Sequence, residues 1–164
     1  MKSNSYRLEK ESIVNTTASN AADRLGRITA ARTTETRDFA ALLGRILLGS
    51  IFVISGFGKL TGFSGTAGYI AAKGVPMAEV AAGIAILVEL GGGLAVLAGW
   101  MTRWAALAFM VFLIVITPIF HNFWSVADAA AAANKIHFMK NVAILGGFLL
   151  LYAFGPGRYS VDRR

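Results

Sequence analysis

His137, Lys140 and Asn141 are spaced i, i+3, i+4 and so share one face of any helix that holds them. His121 and Asn122 follow "WAALAFMVFLIVITPIF", a stretch without a single charge, and Thr117 stands one turn before His121. Lys59 ends an earlier apolar run, and Trp124 lies in "FHNFW". Imidazoles that titrate near neutrality, ammonium groups, amides and an indole make a suitable surround for an anionic or quinone-like headgroup. Lys59, His121, Asn122, Trp124, His137, Lys140 and Asn141 are therefore the candidate ligand site. The plainer reading is that these side chains meet lipid headgroups and water, with Trp124 as an interfacial anchor.

A second constellation lies deeper in the apolar runs. "VELGGGLAVLAGW" places Glu89 in an oily segment and follows it with Gly91, Gly92 and Gly93. A charge in such a setting is costly and is held by a partner. Counted from a shared end at 1.5 Å per residue, Glu89 is ~15 Å deep and Arg45 ~9 Å, a gap that an extended arginine spans. The expectation is an Arg45–Glu89 ion pair across a close helix contact, with the glycines letting the backbones approach. Such a pair can act as a clasp that fixes which helices meet, or as part of a proton or quinone site; the spacing leaves both open.

No metal site is expected. His121, His137 and Glu89 would suit a ferrous ion by type, but Glu89 is roughly 18 Å deeper than the histidines by helical rise. "SGFGKL" at 55–60 lacks the spacing of a phosphate loop, and its glycines read as the end and turn of the first span. The absence of cysteine removes disulfides, thiol nucleophiles and Cys-ligated clusters.

These side chains must be positioned by membrane helices. Of the 164 residues 55% are hydrophobic and 15% charged, which lies outside the soluble balance. Four apolar segments, near 39–57, 77–100, 104–120 and 136–154, each approach the ~20 residues that cross a bilayer. The fold class is therefore all-α, an integral-membrane four-helix transmembrane bundle. Only "MTR" around Arg103 separates the second and third spans, which predicts a tight hairpin. Residues 1–38 read as a polar, disordered tail. An amphipathic helix on the headgroups and an Arg-rich transit peptide are the other readings, and five acidic residues oppose the latter. Residues 39–158 form the transmembrane domain and 159–164 a short second tail. "ADAAAAANK" is Ala-rich enough for a short surface helix capped by Ser125 or Asp128.

The amino tail carries seven Lys and Arg, against single lysines in the two longer loops beyond Lys59. By the positive-inside rule both termini should be cytoplasmic, in a bacterial inner membrane. The net charge of +7 is explained by these flanks. It forms no basic stripe with interleaved aromatics, so no nucleic-acid partner is expected.

"LGRILLGSIFVISGFGKLTGF", "YIAAKGVP", "VELGGGLAVLAGWMTRWAA", "FHNFW", "FMKNVAILGGFLLL" and "GPGRYSVD" together resemble the DoxX family of small bacterial inner-membrane proteins, over about residues 42–162. The family-like positions are Arg45, Gly56, Lys59, Glu89, Gly92, His121, Trp124, Lys140, Asn141, Gly155, Pro156 and Gly157. The resemblance implies a four-helix bundle. It also implies association with membrane redox systems, since the family takes its name from a subunit associated with thiosulfate:quinone oxidoreductase. A related branch is linked to complexes that work with superoxide dismutase and a thiosulfate sulfurtransferase. The expected role is an accessory subunit that is not a stand-alone enzyme, with the lipid bilayer and redox proteins as partners, quinone as ligand and no covalent cofactor. A scaffold that self-associates, or a small-solute transporter, is the second reading.

Overall fold

The structure, a computed structural model, describes the backbone of residues 2–162 and the side chains of residues 15–162 other than Asp128. Six α-helices follow one another: α1 (Lys2–Thr61), α2 (Phe63–Ala72), α3 (Ala78–Ile86), α4 (Gly93–Ala98), α5 (Thr102–Phe120) and α6 (Asp128–Phe154). A π-helical turn, Leu87–Gly92, joins α3 to α4. Four segments are long and apolar enough to cross a membrane: Asn15–Thr61, Ala78–Ala98, Thr102–Ser125 and Ala129–Phe154. No strand occurs among the described residues.

The chain divides into two units, one ending at Arg37 and one beginning at Asp38. The first is helical where a disordered tail was expected. Ala, Arg, Glu and Leu favour helix, no proline interrupts them, and Gly26 alone weakens the run. Thr29, Thr33, Thr34 and Thr36 donate their hydroxyls to the carbonyl four residues back, and Arg27 meets Asp23 at 3.0 Å. Its side chains from residue 15 onward are exposed.

In the second unit, Phe52 of α1, Phe109 of α5 and Phe148 of α6 form the centre of the core. Phe109 stacks on Phe148 with centroids 4.6 Å apart, and Phe52 approaches them at 4.3 and 5.6 Å. Between lipid-solvated helices no hydrophobic drive favours association, so contacts of this kind and close backbone approach supply it. The approach of α1 to the second span is made by glycine. A Cβ on Gly56 would lie 2.6 Å from the Leu90 nitrogen, and one on Gly93 would lie 2.9 Å from Val53 and 3.2 Å from the Gly49 carbonyl. The "SGFGKL" glycines therefore do not end the first span, because α1 runs on to Thr61 and uses Gly56 for packing. Of the glycine triplet, Gly92 meets Phe109 and Gly93 meets α1, while Gly91 touches only Leu87.

The α4–α5 hairpin is as tight as the three-residue spacer predicts. Gly99 and Met101 both take left-handed backbone conformations, φ +68° and +45°, to reverse the chain. Residues 159–162 are not a free tail. The Val161 and Asp162 amides donate to the carbonyls of Ala98 and Gly99, and the Asp162 carboxylate accepts from the amides of Met101 and Thr102 at 3.0 and 2.9 Å. This carboxylate satisfies donors that the start of α5 would otherwise leave open. Asp38, assigned above to the tail, is 3% exposed and accepts a hydrogen bond from the Arg158 amide. "ADAAAAANK" is no separate helix but the opening of α6, whose N-cap is Ala127 without a side-chain cap bond. The Asp128 side chain lies outside the described residues, and Ser125 bonds to Asn122 instead.

Candidate functional site

The expected Arg45–Glu89 pair does not form. Arg45, 1% exposed, donates to the carbonyls of Val96 and Leu97 at the end of α4 and to that of Tyr159 in the carboxyl-terminal segment. Arginine here adds a donor to the Val96 carbonyl, which also accepts from the Gly99 amide, and reaches the Leu97 carbonyl at the helix end. The correction has a geometric cause. Gly56 packs against Leu90 and Gly49 against Gly93 and Leu97, so Arg45 is level with the end of α4 and Glu89 lies more than a turn further along.

Glu89 instead faces Lys59, Nζ to Oε2 2.7 Å, and Lys59 also donates to the Ser55 hydroxyl at 2.7 Å. Glu89 is 4% exposed, and the Lys59 side chain is 29% exposed, so the acid is enclosed and its partner reaches out of the bundle. The π-helical turn that carries Glu89 is the kind of local irregularity that recurs at functional positions. Lys59 therefore leaves the loop-end cluster to which its sequence position assigned it. Ser55 had no signal in the sequence beyond lying one turn before Lys59.

The other candidates do gather, along the seam between α5 and α6. Its deepest part is apolar, with Leu113 and Leu145 packed in the core. One turn further out, the Asn141 amide donates to the Thr117 hydroxyl at 3.1 Å, both residues being buried. One more turn out, the rings of His121 and His137 lie 5.2 Å apart, and Lys140 Nζ stands 3.3 Å from His137 Nδ1. Each step is four residues along α5 and four back along α6, the spacing at which side chains stack on one face. Polarity thus rises toward the loops in register on both helices.

A cleft of about 300 Å³ opens beside this seam, lined by Leu113, Ile114, Thr117, Pro118, Trp124, Phe138, Asn141, Val142 and Leu145. Trp124 and Phe138 meet edge to face at 5.9 Å in its wall. Phe138 is a lining residue that the sequence reading missed; its place beside His137 was the available signal. The Asn122 side-chain amide donates to the Ser125 hydroxyl at 2.6 Å, while its Oδ1 is buried without a hydrogen-bond partner. The arrangement suits a flat ring with polar oxygens and an apolar tail, since two polar rungs continue a wall of aliphatic and aromatic groups. No cluster of three or more His, Cys, Asp or Glu that could hold a metal occurs among the described residues.

Comparison with known proteins bears on this arrangement. The DoxX family model matches residues 40–122, from within α1 to the asparagine that follows His121. The Inner membrane protein YqjF of Escherichia coli K12 is 44% identical over 126 residues, 77% of this chain and 92% of that protein. The Inner membrane protein YphA of the same organism is 41% identical over 128 residues, 78% of this chain and 91% of that protein. No solved structure matches. A family model that covers the first three spans, together with relatives aligned over most of their length, makes this chain a member of the DoxX family.

Proposed function

We propose that this protein is an accessory subunit of a quinone-linked redox system in a bacterial inner membrane, with both termini cytoplasmic, and that it holds a quinone ring in the α5–α6 cleft. The observation that carries the reading is the graded seam: aliphatic side chains, then Thr117–Asn141, then His121, His137 and Lys140, beside a cleft of about 300 Å³ walled by Trp124 and Phe138. That volume is at the lower limit of small-molecule sites, enough for a ring and the first part of a tail. Soluble or membrane redox proteins would supply the electron-transfer centre, since a chain without cysteine ligates no iron–sulfur cluster through thiolates. The inner-membrane location is supported by the names of the two relatives, and the orientation by the Lys and Arg of the amino tail.

Trp124 reports on the cleft directly. In a variant with Trp100 and Trp104 replaced by Phe, a short-tailed quinone titrated into purified protein should quench Trp124 fluorescence to saturation. Asn141→Leu should abolish the saturable part. Unchanged fluorescence with the helical content intact would remove the quinone reading.

One observation favours a second reading, transport of a small solute. Glu89 is enclosed within an irregular turn and is paired with a partly exposed lysine, and ionisable groups within spans mark solute and proton routes. That reading requires solute uptake into proteoliposomes that Glu89→Gln abolishes.

A further inference from the structure

Among the described residues no charged side chain lines the cleft beside the α5–α6 seam, and of its lining only Thr117, Asn141 and Trp124 carry a polar group. Thr117 and Asn141 are buried. Trp124 is exposed, and an indole at the headgroup level has water and lipid for its N–H. The recognition of a ring inside the cleft therefore falls to the Thr117–Asn141 rung.

The direction of the hydrogen bond decides what that rung offers. Asn141 Nδ2 donates to Thr117 Oγ1 at 3.1 Å, so the hydroxyl oxygen accepts and its own proton points elsewhere. In Thr29, Thr33, Thr34, Thr36 and Thr61 that proton goes to a carbonyl of the same helix. Thr117 makes no such bond among the described residues. An acceptor is nevertheless at hand, because Pro118 lacks the amide that would serve the Ile114 carbonyl one turn back. The Asn141 amide thus holds the hydroxyl off its own helix, and the proton is left for whatever fills the cleft. A buried donor is costly to leave without a partner.

A ring carbonyl is the matching group, a neutral acceptor on a flat and apolar body. We infer that the cleft reads its ligand through one ketone oxygen, which accepts from the Thr117 hydroxyl, and that Asn141 is a positioning residue that turns this hydroxyl toward it. The rest of the lining, with Leu113, Ile114, Phe138, Val142 and Leu145, has no side-chain donor for a second ring oxygen. The ligand class is therefore wider than the quinones: a flat neutral ring with a single ketone and an alkyl tail fills the same site. This inference rests on the quinone reading above and states which feature of the quinone is recognised.

The test uses the full chain, with the same two tryptophan replacements, in nanodiscs of zwitterionic lipid, and empty nanodiscs correct for partition. An alkyl naphthoquinone quenches Trp124, and two probes with the same tail compete with it: an alkylchromone, whose second ring oxygen is an ether, and an alkylnaphthalene, which has no ketone. The chromone should bind within about threefold of the quinone and the naphthalene about tenfold more weakly, the loss expected for one buried hydrogen bond. Thr117→Val keeps the side-chain shape without the donor and should bring all three to the level of the naphthalene, while Thr117→Ser restores the order. The carbonyl stretch of the bound chromone, read by infrared difference spectroscopy, should lie at lower frequency in the unsubstituted site and in Thr117→Ser than in Thr117→Val or Asn141→Ala. A merely structural Asn141 would leave that band in place. A chromone as weak as the naphthalene, or affinities and a band that Thr117→Val does not move, would overturn the inference while leaving a quinone site standing. Absence of saturable quenching by the naphthoquinone would overturn the quinone reading itself.

Discussion

Glu89 and Lys59 carry the sharpest prediction at the level of single residues. Their 2.7 Å contact encloses the carboxylate while the ammonium remains partly exposed. Removing one partner of a buried pair strands the other, at about 3–5 kcal/mol for full enclosure. Lys59→Met leaves the enclosed acid alone and should cost about 3 kcal/mol by that measure. Glu89→Leu leaves an ammonium that can turn outward, and should cost clearly less. The double substitution should recover most of the loss, because well-packed apolar side chains replace buried pairs at little cost. Thermal or denaturant unfolding in detergent reads the cycle, and additive losses would deny the contact. That an acid, Glu89, lies in an apolar run and needs a partner was legible in the sequence, but the identity of the partner was not. Depth counted from a helix end takes both helices as level, and the register between α1 and the second span is set by Gly49, Gly56 and Gly93. Arg45 was thereby freed to bind the end of α4 and the segment around Tyr159.

Those glycines govern the elements. Gly56→Ala would drive a methyl group to 2.6 Å from the Leu90 backbone nitrogen, which cannot give way, whereas Gly49→Ala meets chiefly the movable Leu97 side chain at 2.8 Å. Gly146 has open space around its missing Cβ. The expected order of destabilisation is Gly56→Ala at about 2–3 kcal/mol, Gly49→Ala at about 1, and Gly146→Ala near zero. Unfolding midpoints for the three variants test the order, and equal midpoints would contradict the packing. The four spans themselves, and the hairpin at Arg103, follow from hydropathy and a three-residue spacer. What hydropathy does not reveal is polar helix. Residues 15–37 have no long apolar run to betray a helix, yet they are helical with exposed side chains, in keeping with their propensity and the Arg27–Asp23 pair. Likewise Asp162 caps α5 from 60 residues away, a contact with no local signature.

Over the unit that begins at Asp38, charge is sorted by depth. The end that carries the α4–α5 hairpin is tied by Asp38, Arg45 and Asp162 through backbone groups, the middle by Lys59 and Glu89, and the opposite end gathers His121, His137 and Lys140 at the outer end of the α5–α6 seam. The last of these groups continues the α5–α6 seam whose Thr117 and Asn141 line a cleft sized for a ring and its tail, which is why function is assigned to that seam and not to the buried pair. The sequence reveals most of that cluster through the spacing of His137, Lys140 and Asn141; the adjoining wall, Phe138 with Trp124, emerges only when α5 and α6 are set side by side. The decisive measurement is extraction of the protein from its native membrane with its lipid annulus intact, followed by quantification of quinone in the purified particle. The account predicts quinone near one equivalent per chain, lost in an Asn141→Leu variant that extracts equally well. Quinone no higher than in bulk membrane, or the same amount in both proteins, would contradict it.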